Sequence, residues 1–170
     1  MILITLDELL HGLKETGFAT AIRENGSLFP WLEAAHVLSV TIVIGSVGLL
    51  ELRLIGLASL NRSVSRVLKD VLPITWTAFA ASVISGFFLF ASNAPTYAAN
   101  TFFLGKLVLL AAAGLNAFGF HAFVERSIAK WDSAARTPIP ARISGVFSLV
   151  MWIGIVVCGR WVGFTLVPTP

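Results

Sequence analysis

One long apolar stretch constrains the fold more than any other part of the sequence. It runs from Pro30 to Leu57, PWLEAAHVLSVTIVIGSVGLLELRLIGL, and carries no formal charge between Ala34 and Leu50. At 1.5 Å per residue, a helix of this length crosses the ~30 Å hydrocarbon core of a bilayer. Glu33 and His36 lie inside this stretch, where lipid would otherwise surround them. The stretch therefore predicts a transmembrane helix that carries ionisable groups.

The composition of the chain also points to lipid as its solvent. The 170 residues are 56% hydrophobic and only 12% charged, whereas about 25% of the residues of a soluble domain are charged. The net charge of +3 is too small to suggest nucleic acid. Because the basic residues cluster in loops between apolar runs, we expect them to meet anionic lipid headgroups instead.

Four apolar runs define the expected domain organisation. The predicted spans cover about 30–57, 71–92, 101–125 and 142–164, within a membrane domain of residues 30–170. Residues 1–29 form an amphipathic segment that we expect to lie along the membrane surface. The sequence therefore predicts an all-α, four-helix transmembrane bundle with an amphipathic N-terminal interfacial helix.

The distribution of basic residues predicts the orientation. Of the twelve Lys and Arg residues, eight lie in or beside the two loops 53–69 and 126–142. The positive-inside rule places these loops in the cytoplasm. We therefore expect a multi-pass protein of the bacterial inner membrane with both termini on the periplasmic side.

An outer polar cluster is the first candidate site. Glu33 and His36 are three residues apart on one helix face, and Lys106 and Arg160 fall at a similar depth because successive spans alternate in direction. Tyr97 lies in the adjoining loop. The Glu-x-x-His spacing occurs in di-iron bundles, but those need a second copy and two more Glu residues. No second copy lies in the predicted spans, so we do not expect a di-iron site.

An inner polar cluster is the second candidate site. His121 and Glu125 are i, i+4 neighbours, Asn116 lies in the middle of the same span, and Met151 is within about a turn of the depth of His121. The charged residues expected at this side are Glu51, Arg53, Glu125, Arg126 and Arg142.

The two histidines suggest a bound haem b or copper. His36 and His121 should differ in depth by roughly 20 Å, so one iron cannot bind both. Two separate sites, one in each leaflet, are still possible, and each would need a further ligand. His11 could supply it at the outer site, and Met151 or a neighbouring subunit at the inner site. The propionate groups of a haem could pair with the nearby lysine and arginine side chains. The candidate cofactor and metal ligands are Glu33, His36, His121, Met151, Arg53, Lys106 and Arg160, supported by Tyr97, Asn116 and Glu125.

Three functional classes fit these residues. The first is a redox-associated subunit that transfers electrons or anchors a periplasmic partner or other membrane subunits. The second is a transporter or channel for protons, metal ions or a small solute, which would need a polar line between the clusters. The third is a structural or assembly subunit, alone or as a homo-oligomer, whose histidines only tie helices together. No nucleophile–base pair, phosphate-binding glycine loop or multi-cysteine site supports an enzyme acting alone.

Three segments resemble an uncharacterised family of bacterial four-span inner-membrane proteins, a domain of unknown function. They are the Pro30–Leu57 stretch, FFLGKLVLLAAAGLNAFGFH and ARISGVFSLVMWIGIVVCGRWVGF. The architecture is more distantly similar to copper-resistance membrane proteins and small b-type cytochromes. The resemblance implies four spans and no specific activity. It rests on Glu33, His36, the Glu51-Leu52-Arg53 run, Lys106, Asn116, His121 and Arg160.

Overall fold

The computed structural model describes residues 5–58, 61–124, 128–132 and 137–166, and this part of the chain is helical with short connections. The predicted all-α fold is confirmed. The helices are α1 (Leu6–Lys14), α2 (Gly17–Glu24), α3 (Leu28–Ile55), α4 (Val64–Ser92), α5 (Ala94–Ala98), α6 (Thr101–Gly119), α7 (Ile128–Trp131) and α8 (Ile139–Thr165). A π-helical turn, Phe120–Val124, continues α6.

Four of these helices are long and apolar enough to cross a membrane: α3, α4, α6 with its π-helical turn, and α8. They pack together but leave many large apolar side chains, such as Leu115 and Val150, exposed. Exposed apolar faces of this extent are compatible with lipid and not with water. The chain is therefore a multi-pass membrane protein whose bundle contacts the bilayer.

Several helix boundaries differ from the sequence prediction, and two of them have a clear local cause. The second long helix begins at Val64, seven residues before the expected start at 71, because the Ser63 hydroxyl caps it by accepting a hydrogen bond from the Arg66 backbone N–H at 3.4 Å. The polar segment before the span is thus helical as well. At the end of α3, Gly56 takes a left-handed conformation with φ of 92°, which only glycine adopts without strain.

The N-terminal segment forms two helices where the sequence predicted one. The break occurs at Thr16, whose hydroxyl donates to the Leu13 carbonyl at 2.7 Å and so competes with continued helix. Arg23 on α2 donates to the carbonyl oxygens of Lys14 at 3.1 Å and of Ser92 at 3.2 Å. The first short helix, α1, packs against α5 and α4, and the second, α2, packs against α4 and α3, at what we call the α5 end of the bundle.

The four long helices pack in a row, in the order α4, α3, α8, α6. Small residues allow close approach: a Cβ on Gly145 of α8 would lie 3.3 Å from the Leu54 Cβ on α3, and one on Gly154 would lie 3.0 Å from Leu109 on α6. In the described part of the chain, α4 and α6 are not a packed pair. At the α7 end, Ile128 and Trp131 are buried with residues of α3, α4 and α8.

Phe18 tests how the N-terminal helices are held. Its ring centroid lies 5.7 Å from that of Phe88 and 6.4 Å from that of Phe87. Because aromatic pairs contribute about 1 kcal/mol each, we expect Phe18→Ala to speed amide hydrogen exchange in α2 about fivefold or more. The control is Leu9→Ala, at an exposed position on α1. Equal exchange rates in the two variants would contradict this docking.

Candidate functional site

His36 on α3 is held by the backbone and side chains of α4. Its Nδ1 lies 3.0 Å from the Ser82 carbonyl oxygen and 3.1 Å from the Ser85 hydroxyl oxygen. Because a carbonyl oxygen can only accept, Nδ1 carries a proton and donates it. In the neutral ring, Nε2 is then unprotonated and can accept a hydrogen bond or bind a metal. No described residue forms a hydrogen bond with Nε2.

A glycine on α4 makes room for this imidazole. A Cβ on Gly86 would lie 2.9 Å from Cε1 of His36 and 3.3 Å from its Nδ1. Such distances are too short for real Cβ contacts, so the ring would have to move. The two serines that contact the ring are themselves buried. The imidazole therefore occupies a shaped recess in the α3–α4 contact.

The outer cluster forms in part. Lys106 on α6 is half-buried and interacts electrostatically with His36. Burial, and then the nearby Glu33 carboxylate, raise the pKa of the Tyr97 phenol above its ordinary value. Arg160 is exposed and its guanidinium stacks over the Phe164 ring at 4.7 Å. The structure thus places Glu33 near Tyr97 and Lys106 near His36, whereas Arg160 faces outward.

A cavity of about 180 Å³ lies between the four long helices in their α7 half. One buried water needs only ~15 Å³, so the cavity has room for several ligand atoms. Most of its lining is apolar. The polar side chains in the lining are Glu51, Thr75, Asn116, His121, Ser144 and Ser148.

Glu51 is the acidic group of this cavity. It is only 7% exposed, and its Oε2 lies 3.2 Å from the position of a Cβ on Gly145. Ser148 on α8 lies near its carboxyl group and interacts with it. Within the described part of the chain, no Lys, Arg or His forms an ion pair with it. An ionised carboxylate without a cation is costly in such surroundings, which makes Glu51 a candidate binding group.

Two other predicted residues also line the cavity. Asn116 donates to the Ser144 carbonyl oxygen at 3.2 Å and accepts from its hydroxyl at 3.2 Å, and so ties α6 to α8. His121 lies in the π-helical turn, with its ring edge-on to Phe120 at 5.9 Å between centroids. Segments with π-helical geometry are frequent at functional sites. Glu125, the predicted neighbour of His121, lies outside the described residues.

The remaining predicted residues lie away from the cavity lining. Arg53 is buried, and its Nε donates to the Arg62 carbonyl oxygen at 2.8 Å while its Nη1 donates to the Thr137 hydroxyl at 3.5 Å. It therefore holds the chain connections at the α7 end. Met151 is buried in an apolar cluster with Ala113 and Ile155.

The two histidines occupy different depths, as predicted. His121 lines the same cavity as Glu51, and Glu51 follows His36 by fifteen residues on α3. Fifteen residues of helix span about 22 Å. The α5 half and the α7 half of the bundle therefore hold separate polar sites.

The sequence predicted no binding role for Glu51, because Glu51 lies near the end of the first span, where charged residues usually mark the membrane boundary. A signal was present in the helical spacing. The apolar residues of α3 that line the cavity, Val43, Val47, Leu50 and Leu54, recur every three or four residues, and Glu51 falls on the same face.

Comparison with known proteins identifies the family. The chain belongs to the family of unknown function DUF6644, which matches residues 13–165. No curated protein matches the chain, and no solved structure does. The expected membership of an uncharacterised four-span family is therefore confirmed. The more distant likeness to copper-resistance proteins and b-type cytochromes stays a prediction.

The recess around His36 can be tested with a pair of glycine variants. We expect Gly86→Ala to displace the imidazole and to lower stability by about 1 to 3 kcal/mol, as overpacking does. Gly159→Ala is the control, since nothing lies within 4 Å of a Cβ at that position; it should be neutral or slightly stabilising. Thermal unfolding in detergent and the NMR signals of the labelled His36 ring measure both effects. Identical behaviour of the two variants would contradict the recess.

Proposed function

We propose that this protein is a membrane transporter that binds a cation at Glu51. The single observation that carries the proposal is the Glu51 carboxyl: it is 7% exposed, has no ion-pair partner among the described residues, and lines a cavity inside the membrane domain. Intramembrane acids of this kind commonly mark ion or substrate pathways. If the basic loops face the cytoplasm, as the positive-inside rule predicts, the cavity lies in the cytoplasmic half of the bilayer.

The electrostatics of the cavity favour a positively charged ligand. A carboxylate in apolar surroundings is stabilised either by a proton or by a cation. A cation that binds can therefore replace a proton, and a proton can displace the cation. Exchange of this kind couples ligand movement to proton movement without any covalent step.

A line of polar side chains along the α3–α4 contact supports transport. The hydroxyls of Ser46 and Thr75 are 2.8 Å apart, and Thr75 lines the cavity. Seven residues further along α4, about 10 Å away, Ser82 contacts His36. The interval is closed by the buried side chains of Val43 and Ala78. We propose that this apolar constriction separates the cavity from the His36 site and opens during transport.

Flux measurements in proteoliposomes test the proposal. Radiolabelled methylammonium, Na⁺, K⁺ and proton movement are measured for the wild-type protein, and we expect at least one cation to be transported. Glu51→Gln should lower that flux at least tenfold. Glu24→Gln, at an exposed glutamate of α2 outside the long helices, is the control and should retain it. Flux of no tested ion, or equal flux in both variants, would refute the proposal.

The stability of the same variants separates function from folding. Because Glu51→Gln removes a buried ionisable group but keeps its shape, we expect the variant to unfold at the same or a higher temperature than the wild type. Glu24→Gln should unfold within about a degree or two of the wild type. A large loss of stability in Glu51→Gln would mean that the carboxyl serves the fold.

The redox class is a second candidate, favoured by the tautomer of His36. A metal-binding imidazole usually donates its other N–H to a carbonyl or carboxylate, as Nδ1 of His36 does to Ser82. Nε2 would then hold haem b or copper, and Lys106 would suit a propionate. The described residues contain no group of three or more His, Cys, Asp or Glu placed to hold a metal. Further ligands would come from a second copy or from an electron-transfer partner.

An absorption spectrum with an iron and copper assay tests the redox candidate. A haem at His36 predicts a Soret band that His36→Gln abolishes and that His121→Gln, at the other histidine site, leaves in place. Copper at His36 predicts stoichiometric metal with the same dependence. A preparation of the folded protein with neither a Soret band nor stoichiometric iron or copper would rule out this candidate.

A further inference from the structure

We infer that the cation taken up at Glu51 is a lipophilic amine, and that it enters the cavity from the lipid between α4 and α6. This inference rests on the proposed function and names its substrate class. It depends on three features: the lining of the cavity, its open side, and the depth of the carboxyl.

The lining offers one acidic side chain and a few other polar ones, and most of the wall is apolar. Thr75 is hydrogen-bonded to Ser46, and Asn116 to Ser144. The other walls include Val43, Val47, Leu50, Leu72 and Leu110. A bare inorganic cation is typically bound by about six oxygen ligands, whereas an alkylammonium group needs one carboxylate and apolar space for its body. The cavity therefore fits an ammonium group attached to a hydrocarbon.

The side of the cavity between α4 and α6 is open. These helices are not a packed pair in the described chain, yet residues of both line the cavity. Trp76 of α4 is 60% exposed, while Gly114 and Ala117 of α6 are small and exposed. The aromatic faces of Trp76 and Phe79 attract cations. A molecule dissolved in the membrane thus has a lateral route to Glu51, and the aromatic side chains of Trp76 and Phe79 lie along this route.

The depth of Glu51 matches the position that an amphipathic amine takes in a bilayer. Glu51 is four residues from the end of α3 at Ile55, or about 6 Å along the helix axis. A lipophilic amine places its ammonium group near the headgroups and its chain in the hydrocarbon. The ammonium group therefore meets the carboxylate after a short lateral movement, while its apolar body stays in apolar surroundings.

Binding of a nitroxide-labelled decylamine tests the inference, because a nitroxide quenches tryptophan fluorescence and both Trp76 and Trp152 line the cavity. In proteoliposomes we expect saturable quenching by the amine but not by the matching nitroxide-labelled decanol. Glu51→Gln should raise the half-saturating concentration at least tenfold, and Glu51→Asp should restore part of the affinity.

A pair of glycine variants tests the lateral route. Gly114 lines the cavity and Gly119 does not, and both have open space around a Cβ. We expect Gly114→Leu to weaken amine binding at least tenfold and Gly119→Leu to leave it unchanged. Equal effects of the two substitutions would contradict entry between α4 and α6.

The outcomes separate this inference from the proposed function. Non-saturable quenching or equal quenching by the alcohol would mean partition into lipid, and unchanged affinity in Glu51→Gln would mean binding away from this carboxyl; each result would overturn the inference. If methylammonium flux still depended on Glu51 in that case, the transport function would stand without the lipophilic substrate. Saturable amine binding without flux of the amine or of any tested ion would support the ligand class and refute transport.

Discussion

The contact between α3 and α8 at Gly145 determines where Glu51, the acidic residue of the cavity, can lie. Because Gly145 has no side chain, α8 approaches α3 closely enough to cover Glu51 and Leu54. The Ser148 hydroxyl then reaches the carboxyl from the same helix. A larger residue would push the helices apart and expose the carboxyl to the cavity centre or to lipid. The burial of Glu51, and with it the charge of the cavity, therefore depends on one small residue.

Helix α3 connects the two polar sites because it is the inner helix that contacts α4 along its length and also packs on α8. Its α5 half holds His36 against Ser82 and Ser85, and its α7 half holds Glu51 against α8. The hydrogen-bonded Ser46–Thr75 pair lies between them. Hydroxyl groups in membrane helices also form hydrogen bonds with backbone carbonyl oxygens. The polar side chains along the α3–α4 contact therefore strengthen that contact whether or not a cation passes along them. Position on one rigid helix keeps the sites about 22 Å apart.

The sequence predicted four long apolar helices because the cost of exposing apolar helices to water dominates everything else in such a chain. It missed the early start of α4, since that turn depends on the Ser63 cap and not on hydropathy. It grouped Arg160 with Lys106 from depth alone, and depth does not determine which face of a helix a side chain occupies. Glu51 was placed in the inner cluster without a binding role for a related reason: its burial results from the approach of α8, a tertiary contact that helical spacing alone does not show.

An infrared difference spectrum tests the central claim, that a cation binds the Glu51 carboxyl, most directly. The carboxyl and carboxylate stretching bands report protonation and ion pairing at individual acids. On addition of methylammonium and, separately, of decylamine to the protein in lipid at constant pH, we predict a difference band that Glu51→Gln removes and Glu24→Gln retains. A spectrum with no carboxyl difference band for any added cation, or one that persists in Glu51→Gln, would contradict the account.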